Sequence, residues 1–338
     1  MAGRRAIDKL APPAPAPERR AVLLRLCAAL SATLAPHGPL RAQTLFTGEP
    51  GAPRPVAILF PDLADPVRKV FTDIIGGIEE QLRQRVQAWP LAPAPDTAEL
   101  GAALRRQGVR VVIALGRHGL KVAETLDPAL GLVVSGISSL PDGDRHTGIC
   151  LSPDPALLFA RLRSLAPSVR RVIVVYNPQQ NDWLLRLARE AARLHGIELA
   201  PLEALDLAAA ARLYQGAFAA ADNRRDALWL PTDATTVDET TILPLVLREA
   251  WDRALPVFSS SFLHVRKGAL FALYPNNPEL GRSLGNLAMA LMTDEPPQRG
   301  LLPLRDVCAA LNLRTASHLG IAAGPALQRG FQFLYPEP

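Results

Sequence analysis

From residue 55 onward, the chain alternates short apolar runs with longer stretches in which apolar residues recur at helical spacing. Residues 55–60 (PVAILF) form the first run, and residues 109–115 (VRVVIAL) and 171–176 (RVIVVY) are equally continuous. Such runs are typical of strands buried on both faces, because a half-exposed strand would alternate apolar and polar residues. Strands that alternate with helices form parallel sheets joined by right-handed crossovers. The pattern therefore predicts an α/β fold.

The alternation runs through two similar sets of strands and helices, which predicts two doubly wound parallel-sheet lobes. A chain of 338 residues is also too long for one compact core. We assign residues 55–150 to lobe 1 and residues 151–267 to lobe 2. Within lobe 2, threonines and aspartates suited to capping open a predicted helix over residues 235–251.

The first 43 residues differ from the rest and are predicted to be an export signal. Residues 1–20 mix Arg, Lys, Ala and Pro, and a short apolar run follows over residues 21–35 (AVLLRLCAALSATLA). Positive residues, a short apolar segment and a small residue near a break are the layout of a secretory signal. We predict cleavage near Ala42 or Gln43, and hence a periplasmic protein. The alternative is a disordered tail with one amphipathic turn, which the arginine inside the apolar run favours.

The composition argues against several classes of function. The net charge is +5, but arginines are spread along the chain and aromatic residues make up only 5%. Nucleic-acid binding is typically marked by basic runs interleaved with aromatics, so we expect no nucleic-acid partner. No Cys/His cluster has metal-ligand spacing, and we expect neither a metal nor a cofactor. Cys150 and Cys308 either pair in an oxidising compartment or stay isolated in the core, and their spacing does not decide between these.

The residues that follow the predicted strands are rich in hydroxyl and amide groups. In parallel sheets, ligands bind beyond the carboxyl ends of the strands. These segments read 116–118 (GRH), 135–139 (SGISS), 177–181 (NPQQN), 231–236 (PTDATT) and 274–277 (YPNN). Such groups hydrogen-bond small polar ligands, and helix N-termini attract anions. Each residue type is also a common cap or turn residue, so it is the recurrence in both lobes that favours a binding site.

Four segments resemble a known family, the uncharacterised substrate-binding proteins of ABC transporters, some of which bind tryptophan or other aromatic amino acids. They are residues 174–178 (VVYNP), 256–270 (PVFSSSFLHVRKGAL), 279–282 (ELGR) and 310–321 (ALNLRTASHLGI). The resemblance covers roughly residues 55–325, and its four motifs occur in the family's order.

The resemblance implies a type I periplasmic-binding fold, in which two lobes joined by three crossovers close on a ligand like a hinged clamp. Residues from about 268 to 300 would then return to lobe 1, and residues 301–338 would form a C-terminal return segment and tail. It also implies a protein without catalytic activity that captures a small molecule and presents it to a membrane ABC permease.

Lobe 1 departs from the family pattern in three loops. Arg117 lies where the family has a threonine–proline pair, residues 135–139 lack an aspartate–proline pair, and residues 274–277 lack an aspartate followed by tyrosines. The missing acids and the added Arg117 favour a carboxylate-bearing or anionic ligand over a plain amino acid, because a guanidinium pairs bidentately with a carboxylate. The candidate ligand-binding residues are Asn177, Asp233 and Thr235 in lobe 2, and Arg117, Ser135 and Asn276 in lobe 1.

Three other functions fit parts of the sequence. A periplasmic sensory module for a membrane receptor or kinase would share the fold and the site. An enzyme is a weaker alternative, because the chain has no nucleophile elbow, no dinucleotide-binding glycine motif and no P-loop. His118, His146 and His264 also show no acid or nucleophile partner in the sequence. A transcription regulator would need DNA-binding helices before residue 55, where the chain is rich in proline.

Overall fold

Two sheets organise the computed structural model, which describes residues 55–138, 145–293, 297 and 299–337. The continuous apolar runs form central strands, and Val111–Leu115 and Asp226–Leu230 are buried along their whole length. Separate apolar clusters lie on the two faces of each sheet, where helices cover them. The structure therefore has the doubly wound α/β architecture that the sequence predicts.

Lobe 1 contains a sheet of six described strands, all parallel. The strands are β1 (Val56–Pro61), β2 (Gln87–Leu91), β3 (Val111–Leu115), β4 (Gly131–Ser135), β5 (Thr147–Pro153) and β11 (Gly300–Leu304). Their order across the sheet is β11-β5-β4-β3-β1-β2. The helices of this lobe are α1 (Val67–Leu82), α2 (Thr97–Arg106), α3 (Gly116–Ala123) and α9 (Asn277–Ala290).

Helices α1 and α9 pack at close range because glycines lie at their contact. A Cβ on Gly77 would stand 2.0 Å from the carbonyl oxygen of Pro278, and one on Gly281 would stand 2.1 Å from that of Ile74. Neither position can carry a side chain unless the helices separate. Since α9 follows lobe 2 in the chain, this contact anchors the returning segment to lobe 1.

Lobe 2 contains a sheet of seven described strands, in the order β13-β12-β10-β9-β8-β6-β7. The strands are β6 (Arg171–Tyr176), β7 (Glu198–Glu203), β8 (Asp226–Leu230), β9 (Val257–Ser259), β10 (Phe271–Pro275), β12 (Val307–Asn312) and β13 (Phe333–Tyr335). The helices are α4 (Pro155–Leu165), α5 (Pro178–Leu194), α6 (Leu207–Ala220), α7 (Ile242–Asp252), α8 (Phe262–Lys267), α10 (Leu313–His318) and α11 (Pro325–Gln328). Strand β12 runs antiparallel to β10. The sequence analysis predicts only parallel strands and is wrong for this pair.

The described chain passes between the lobes three times, from β5 to α4, from β10 to α9 and from β11 to β12. Strands β5, β10 and β11 leave their sheets at their carboxyl ends. The carboxyl edges of both sheets therefore face the crossovers and each other. The return to lobe 1 begins with α9 rather than near residue 268, because β10 still pairs within the lobe 2 sheet, and residues 307–335 also lie in lobe 2.

The helix expected over residues 235–251 begins only at Ile242. The preceding loop is held by its own side chains, since Asp238 Oδ1 accepts hydrogen bonds from the backbone amides of Thr240 and Thr241. Aspartate and threonine compete in this way with the backbone bonds of a helix. The outcome is a structured loop, residues 231–241, at the carboxyl end of β8.

Two further expectations concern the termini and the thiols. The predicted export signal, residues 1–43, lies outside the described residues. In the part of the chain that the structure describes, no helix is both long and apolar enough to cross a membrane. Cys150 and Cys308 are both free thiols, and burial raises the pKa of Cys150 to about 12, which keeps that thiol protonated at neutral pH.

Candidate functional site

The loop after β8 is organised around the carboxylate of Asp233, which is almost fully buried. Its Oδ1 accepts hydrogen bonds from the amides of Thr235 and Thr236, at 3.0 and 3.1 Å. Its Oδ2 accepts from the amide of Asn177 at 2.7 Å and from Nδ2 of Asn181 at 3.0 Å. A buried carboxylate needs such donors because its charge is otherwise costly to desolvate. With four donors from the protein, Asp233 joins the ends of β6 and β8 into one unit.

Asn177 lies at the start of α5 and belongs to the same unit. Its Oδ1 caps the helix by accepting from the amide of Gln179, and Pro178 follows at the first helical position. Its Nδ2 donates to the hydroxyl of Thr235 at 3.3 Å, and Nε2 of Gln180 donates to the same hydroxyl at 3.1 Å. The Thr235 oxygen thus accepts two hydrogen bonds. Its own hydrogen has no acceptor among the described residues and remains available to a ligand that carries one.

Asn181 is a residue of this cluster that the sequence did not single out. It lies four positions after Asn177, and this spacing puts both asparagines on one face of the first turn of α5. Its Oδ1 and the hydroxyl of Tyr214 are buried without a hydrogen-bond partner in the described structure. Burial raises the pKa of Tyr214, and the negative charge of Asp233 raises it further. The phenol therefore stays protonated beside the carboxylate.

The lobe 1 side is formed by the ends of two adjacent strands, β3 and β4. Ser135 is fully buried, and its hydroxyl donates to the carbonyl of Ile149 at 2.7 Å. Gly136 follows with a φ of +75°, and a Cβ there would stand 2.6 Å from the amide nitrogen of Gly116. Glycine is required because this φ is left-handed and the backbones nearly touch. Arg117 is exposed in the first turn of α3, at this same edge.

Asn276 lies at the crossover from β10 to α9. Its amide donates to the carbonyl of Asp306 in the crossover from β11 to β12, at 2.9 Å. The Asp306 carboxylate accepts from the Ser283 hydroxyl of α9 at 2.6 Å. Arg305, in the same crossover as Asp306, forms an ion pair of 2.7 Å with Asp154 in the crossover from β5 to α4. Polar contacts therefore join all three connections, and the half-buried side chain of Asn276 has no hydrogen-bond partner among the described residues.

The structure divides the six predicted residues into three places. Hydrogen bonds join Asn177, Asp233 and Thr235 in lobe 2. Arg117 and Ser135 lie at the ends of lobe 1 strands, and Asn276 lies at a crossover between the lobes. Three of the six, Asn177, Asp233 and Ser135, are buried. Asp233 accepts four protein hydrogen bonds and Ser135 donates its hydroxyl to Ile149, which suits positioning rather than direct contact with a ligand. The Asn177 amide group uses only one of its two hydrogens within the described residues.

The expectation that the histidines lack acidic or nucleophilic partners is wrong for two of them. His146 lies 3.3 Å from the Glu124 carboxylate. His264 lies between Ser259 and Glu239, with Nδ1 2.7 Å from the Ser259 hydroxyl and Nε2 2.9 Å from Glu239 Oε1. The contacts of His264 cannot be read from the sequence. They depend on how the chain turns from β9 into α8 and on the position of the loop after β8.

The Ser259–His264–Glu239 arrangement has the connectivity of a catalytic triad but is closed to substrate. Ser259 is fully buried, and its oxygen also accepts from the Ser261 amide at 3.0 Å. Burial lowers the pKa of His264, with a smaller lowering from the charge of Lys267, while Glu239 opposes both. The Glu239 carboxylate accepts from Nε2, while the Ser259 hydroxyl lies 2.7 Å from Nδ1 and 3.2 Å from the carbonyl of Leu230. The network fixes the β9–α8 turn.

One groove and the acidic, histidine and cysteine side chains of the described residues are candidates for further sites. A groove of about 530 Å³ in lobe 2 is bordered by Leu247, Trp251 and His318, and none of the six predicted residues lines it. Among the described residues, no group of three or more His, Cys, Asp or Glu side chains is placed to hold a metal ion.

Comparison with known proteins identifies both a family and a fold. A family model described as "ABC transporter substrate binding protein" matches residues 158–327. A ligand-free, open structure of CD0873, a substrate binding protein with adhesive properties from Clostridium difficile, is 17% identical with a TM-score of 0.59, covering 82% of this chain and 98% of that one. An ABC domain from Streptococcus pneumonia in complex with L-Trp is 15% identical with a TM-score of 0.51, covering 82% and 99%. No curated protein matches the chain. The predicted type I periplasmic-binding fold is confirmed.

Proposed function

Because the chain belongs to the ABC transporter substrate-binding protein family, we propose that it captures a small polar ligand between its lobes, outside the cytoplasm, and delivers it to an ABC permease. The observation that carries this proposal is the facing arrangement of the carboxyl strand edges across three crossovers. Ligands of parallel sheets bind at such edges. Two edges that face each other across a hinge form the two halves of a clamp.

Lobe 2 is proposed to receive the ligand first, because its polar groups are already held in place. Asn177 and Thr235 supply the contacts, and Asp233 positions both. The Thr235 hydroxyl, which accepts from two amides, donates its own hydrogen to the ligand. A pre-ordered surface loses little side-chain entropy on binding.

Lobe 1 is proposed to complete the site on closure. Arg117, in the first turn of α3, lies beside the helix amides, and both attract negative charge. Asn276 adds an amide at the hinge, while Ser135 holds β4 against β5. Together with the Thr235 hydroxyl, these groups are mainly hydrogen-bond donors, which supports a carboxylate-bearing or otherwise anionic ligand. Because a ligand favours closure only by its differential affinity for the two states, both lobes must contribute contacts.

A thermal-shift screen of the full chain against amino acids, di- and tricarboxylates, purines and inorganic anions tests this function. Binding to the folded state alone raises the melting temperature, and a hit is then measured by calorimetry. We expect an acceptor-rich compound to bind. Thr235→Val and Arg117→Ala should each reduce the affinity for this compound about tenfold. The first removes a hydrogen bond to the ligand, and the second removes a charge pair. Leu194→Ser, at the far end of α5, is the matched control and should leave affinity unchanged.

Turnover of a compound without any binding-induced stabilisation would overturn the proposal. If Thr235→Val weakens binding while Arg117→Ala does not, the ligand contacts Thr235 in lobe 2 but not Arg117 in lobe 1. Arg117 would then not be a residue of the site.

A further inference from the structure

The groove between helices of lobe 2 has the size and the lining of a small-molecule site. It has a volume of about 530 Å³ and lies between α7, the end of α8 and α10. Most of its lining residues are apolar, and none of them belongs to the six residues proposed for the cleft. Ligand sites are concave and mainly apolar, hold about 300–1,000 Å³, and contain a few polar groups that orient the ligand. The lobe 2 groove fits this description and is separate from the strand-end site.

An apolar strip along α7 forms one side of the groove. Leu243, Leu247 and Trp251 recur at intervals of four residues, and this spacing places them on one face of the helix. At the rise of an α-helix, the strip is about 12 Å long. Leu247 and Trp251 are only half-buried. Across the groove, a Cβ on Gly268 would stand 3.9 Å from Cδ1 of Leu247, so glycine leaves the strip uncovered. The α7 strip therefore offers apolar surface to an elongated apolar chain.

The indole of Trp251 is held in place by α10. The His318 ring stacks on it, with 3.8 Å between the ring centroids and an interplanar angle of 7°. Nε2 of His318 also donates a hydrogen bond to the carbonyl of Trp251 at 2.8 Å. The Arg314 guanidinium lies 5.7 Å from the centroid of the indole. Because these contacts already fix the side chain, little conformational freedom is lost when a ligand packs against it.

The rim of the groove carries a positive charge that no acid of the groove neutralises. The lysine, arginine and acidic residues that line it are Lys267, Arg248 and Glu239. The Glu239 carboxylate already pairs with Lys267 and contacts Nε2 of His264 at 2.9 Å. Arg248 is exposed and has no ion pair among the described residues. An anionic group on a ligand complements this rim, because a guanidinium donates two hydrogen bonds to one carboxylate.

We propose that the lobe 2 groove is a second binding site, and that its ligand is a medium-chain carboxylate. The apolar chain lies on the α7 strip, and the carboxylate pairs with Arg248. Binding removes the exposed surface of Leu247 and Trp251 from water, which supplies the hydrophobic part of the affinity. All of these residues belong to lobe 2, so the site needs neither closure of the cleft nor the proposed function.

Isothermal titration calorimetry of the full chain with decanoate tests this site. Butyrate lacks the long chain, and decyltrimethylammonium has the opposite charge, so we expect decanoate to bind and the other two not to bind. Arg248→Gln should reduce the affinity for decanoate about tenfold, because it removes the charge pair. Arg266→Gln is the matched control, since Arg266 is also exposed, lies on the neighbouring α8 and does not line the groove.

The α7 strip is tested by Leu247→Ala, which should also reduce the affinity for decanoate about tenfold, because it removes apolar contact area. Leu245→Ala is the matched control, since Leu245 is half-buried in the same helix but does not line the groove. Thermal denaturation of each variant without ligand shows that it is folded at the temperature of the titration. Arg248→Gln changes only an exposed side chain and therefore keeps the test decisive if an α7 leucine variant is unstable.

No binding of decanoate to the wild type, or equal losses with the groove variants and their controls, would overturn the site. Binding of decyltrimethylammonium as tight as that of decanoate would overturn the anionic ligand. If Arg117→Ala reduces the affinity for decanoate and Arg248→Gln does not, decanoate binds in the cleft, and the second site is wrong. Failure of the proposed function is a different result, namely that no compound binds in a manner that depends on Thr235 or Arg117.

Discussion

The two lobes build the facing edges of the cleft by different means. In lobe 2 the edge is held by buried polar side chains, centred on a carboxylate with four donors. In lobe 1 it is held by backbone packing, in which glycine lets the β4 loop lie against the start of α3. The first arrangement fixes the directions of hydrogen-bonding groups, and the second fixes only the path of the chain. Lobe 2 is therefore the pre-ordered half of the proposed site, and lobe 1 is the half in which the proposed charged contact, Arg117, is an exposed side chain.

The largest expected effect comes from Asp233→Ala. The substitution removes the acceptor for four donors, most of which stay buried, and should reduce the free energy of unfolding by about 3–5 kcal/mol. Urea denaturation followed by circular dichroism measures this change, and ligand affinity should fall with it because Asn177 and Thr235 lose their support.

Asp206→Ala provides the matched control for Asp233. Asp206 caps the helix α6 in lobe 2, whereas Asp233 accepts from the amides of a loop, and Asp206 is exposed and accepts from the amide of Ala209 at 2.7 Å. Its loss should cost about 1 kcal/mol, the usual value of an N-cap. Equal losses for the two variants would show that Asp233 contributes no more than an exposed helix cap, and that lobe 2 is not organised around it.

The next effect in size is expected for Gly136→Ala in lobe 1. An added Cβ would meet the Gly116 amide nitrogen at 2.6 Å, at a φ of +75°. We expect a loss of about 2–3 kcal/mol, because left-handed strain and a backbone clash combine. The measurement is the same urea denaturation.

Gly216→Ala is the corresponding control in lobe 2, since nothing lies within 4 Å of its added Cβ and it is in the helix α6. Alanine there should stabilise the protein by about 0.5–1 kcal/mol. If Gly136→Ala is as stable as the wild type, backbone packing does not hold the lobe 1 edge, and the contrast between the lobes fails.

The smallest effect concerns the buried polar network at His264 in lobe 2. Its pKa is lowered in the folded state, chiefly by burial, from the ordinary value of 6.5. As the pH falls below that value, the unfolded chain binds the proton first, so stability is present above about pH 6.5 and is lost toward acid. We expect the melting temperature to drop between pH 7.5 and pH 5.5, and this histidine to contribute part of the drop.

His264→Gln should lower the overall melting temperature and reduce the drop between these two pH values. An unchanged pH dependence in the His264 variant would assign the acid sensitivity to other groups. The buried network at His264 would then not make the stability of lobe 2 sensitive to acid.

Several strands could be predicted from local patterns because their residues are buried along the whole strand. Continuous apolar runs such as residues 109–115 and 171–176 are strands in the structure, since burial on both faces leaves no polar position. Strand β2 (QAWPL) was missed because it is an edge strand whose residues are only partly buried. The helix over residues 235–251 was predicted too long, because helical spacing does not reveal which aspartates bond to their own loop.

The candidate site was predictable to a lesser extent. Asn177, Asp233 and Thr235 were identified as residues at strand ends, and strands β6 and β8, which carry them, are neighbours in the sheet. Asn181 was missed because its role depends on the turn of α5 over Asp233. The partners of His264 come from positions 5 and 25 residues away, and no spacing rule connects them.

The sequence by itself determined the α/β alternation, the two-lobed division and the polar character of the strand ends, because each follows from the local order of apolar and polar residues. Only the tertiary structure decided which of those polar groups form hydrogen bonds with other groups of the protein. It also decided where the chain returns to lobe 1. These features depend on contacts between residues far apart in the chain, whose geometry is set by sheet order and helix packing rather than by any local pattern.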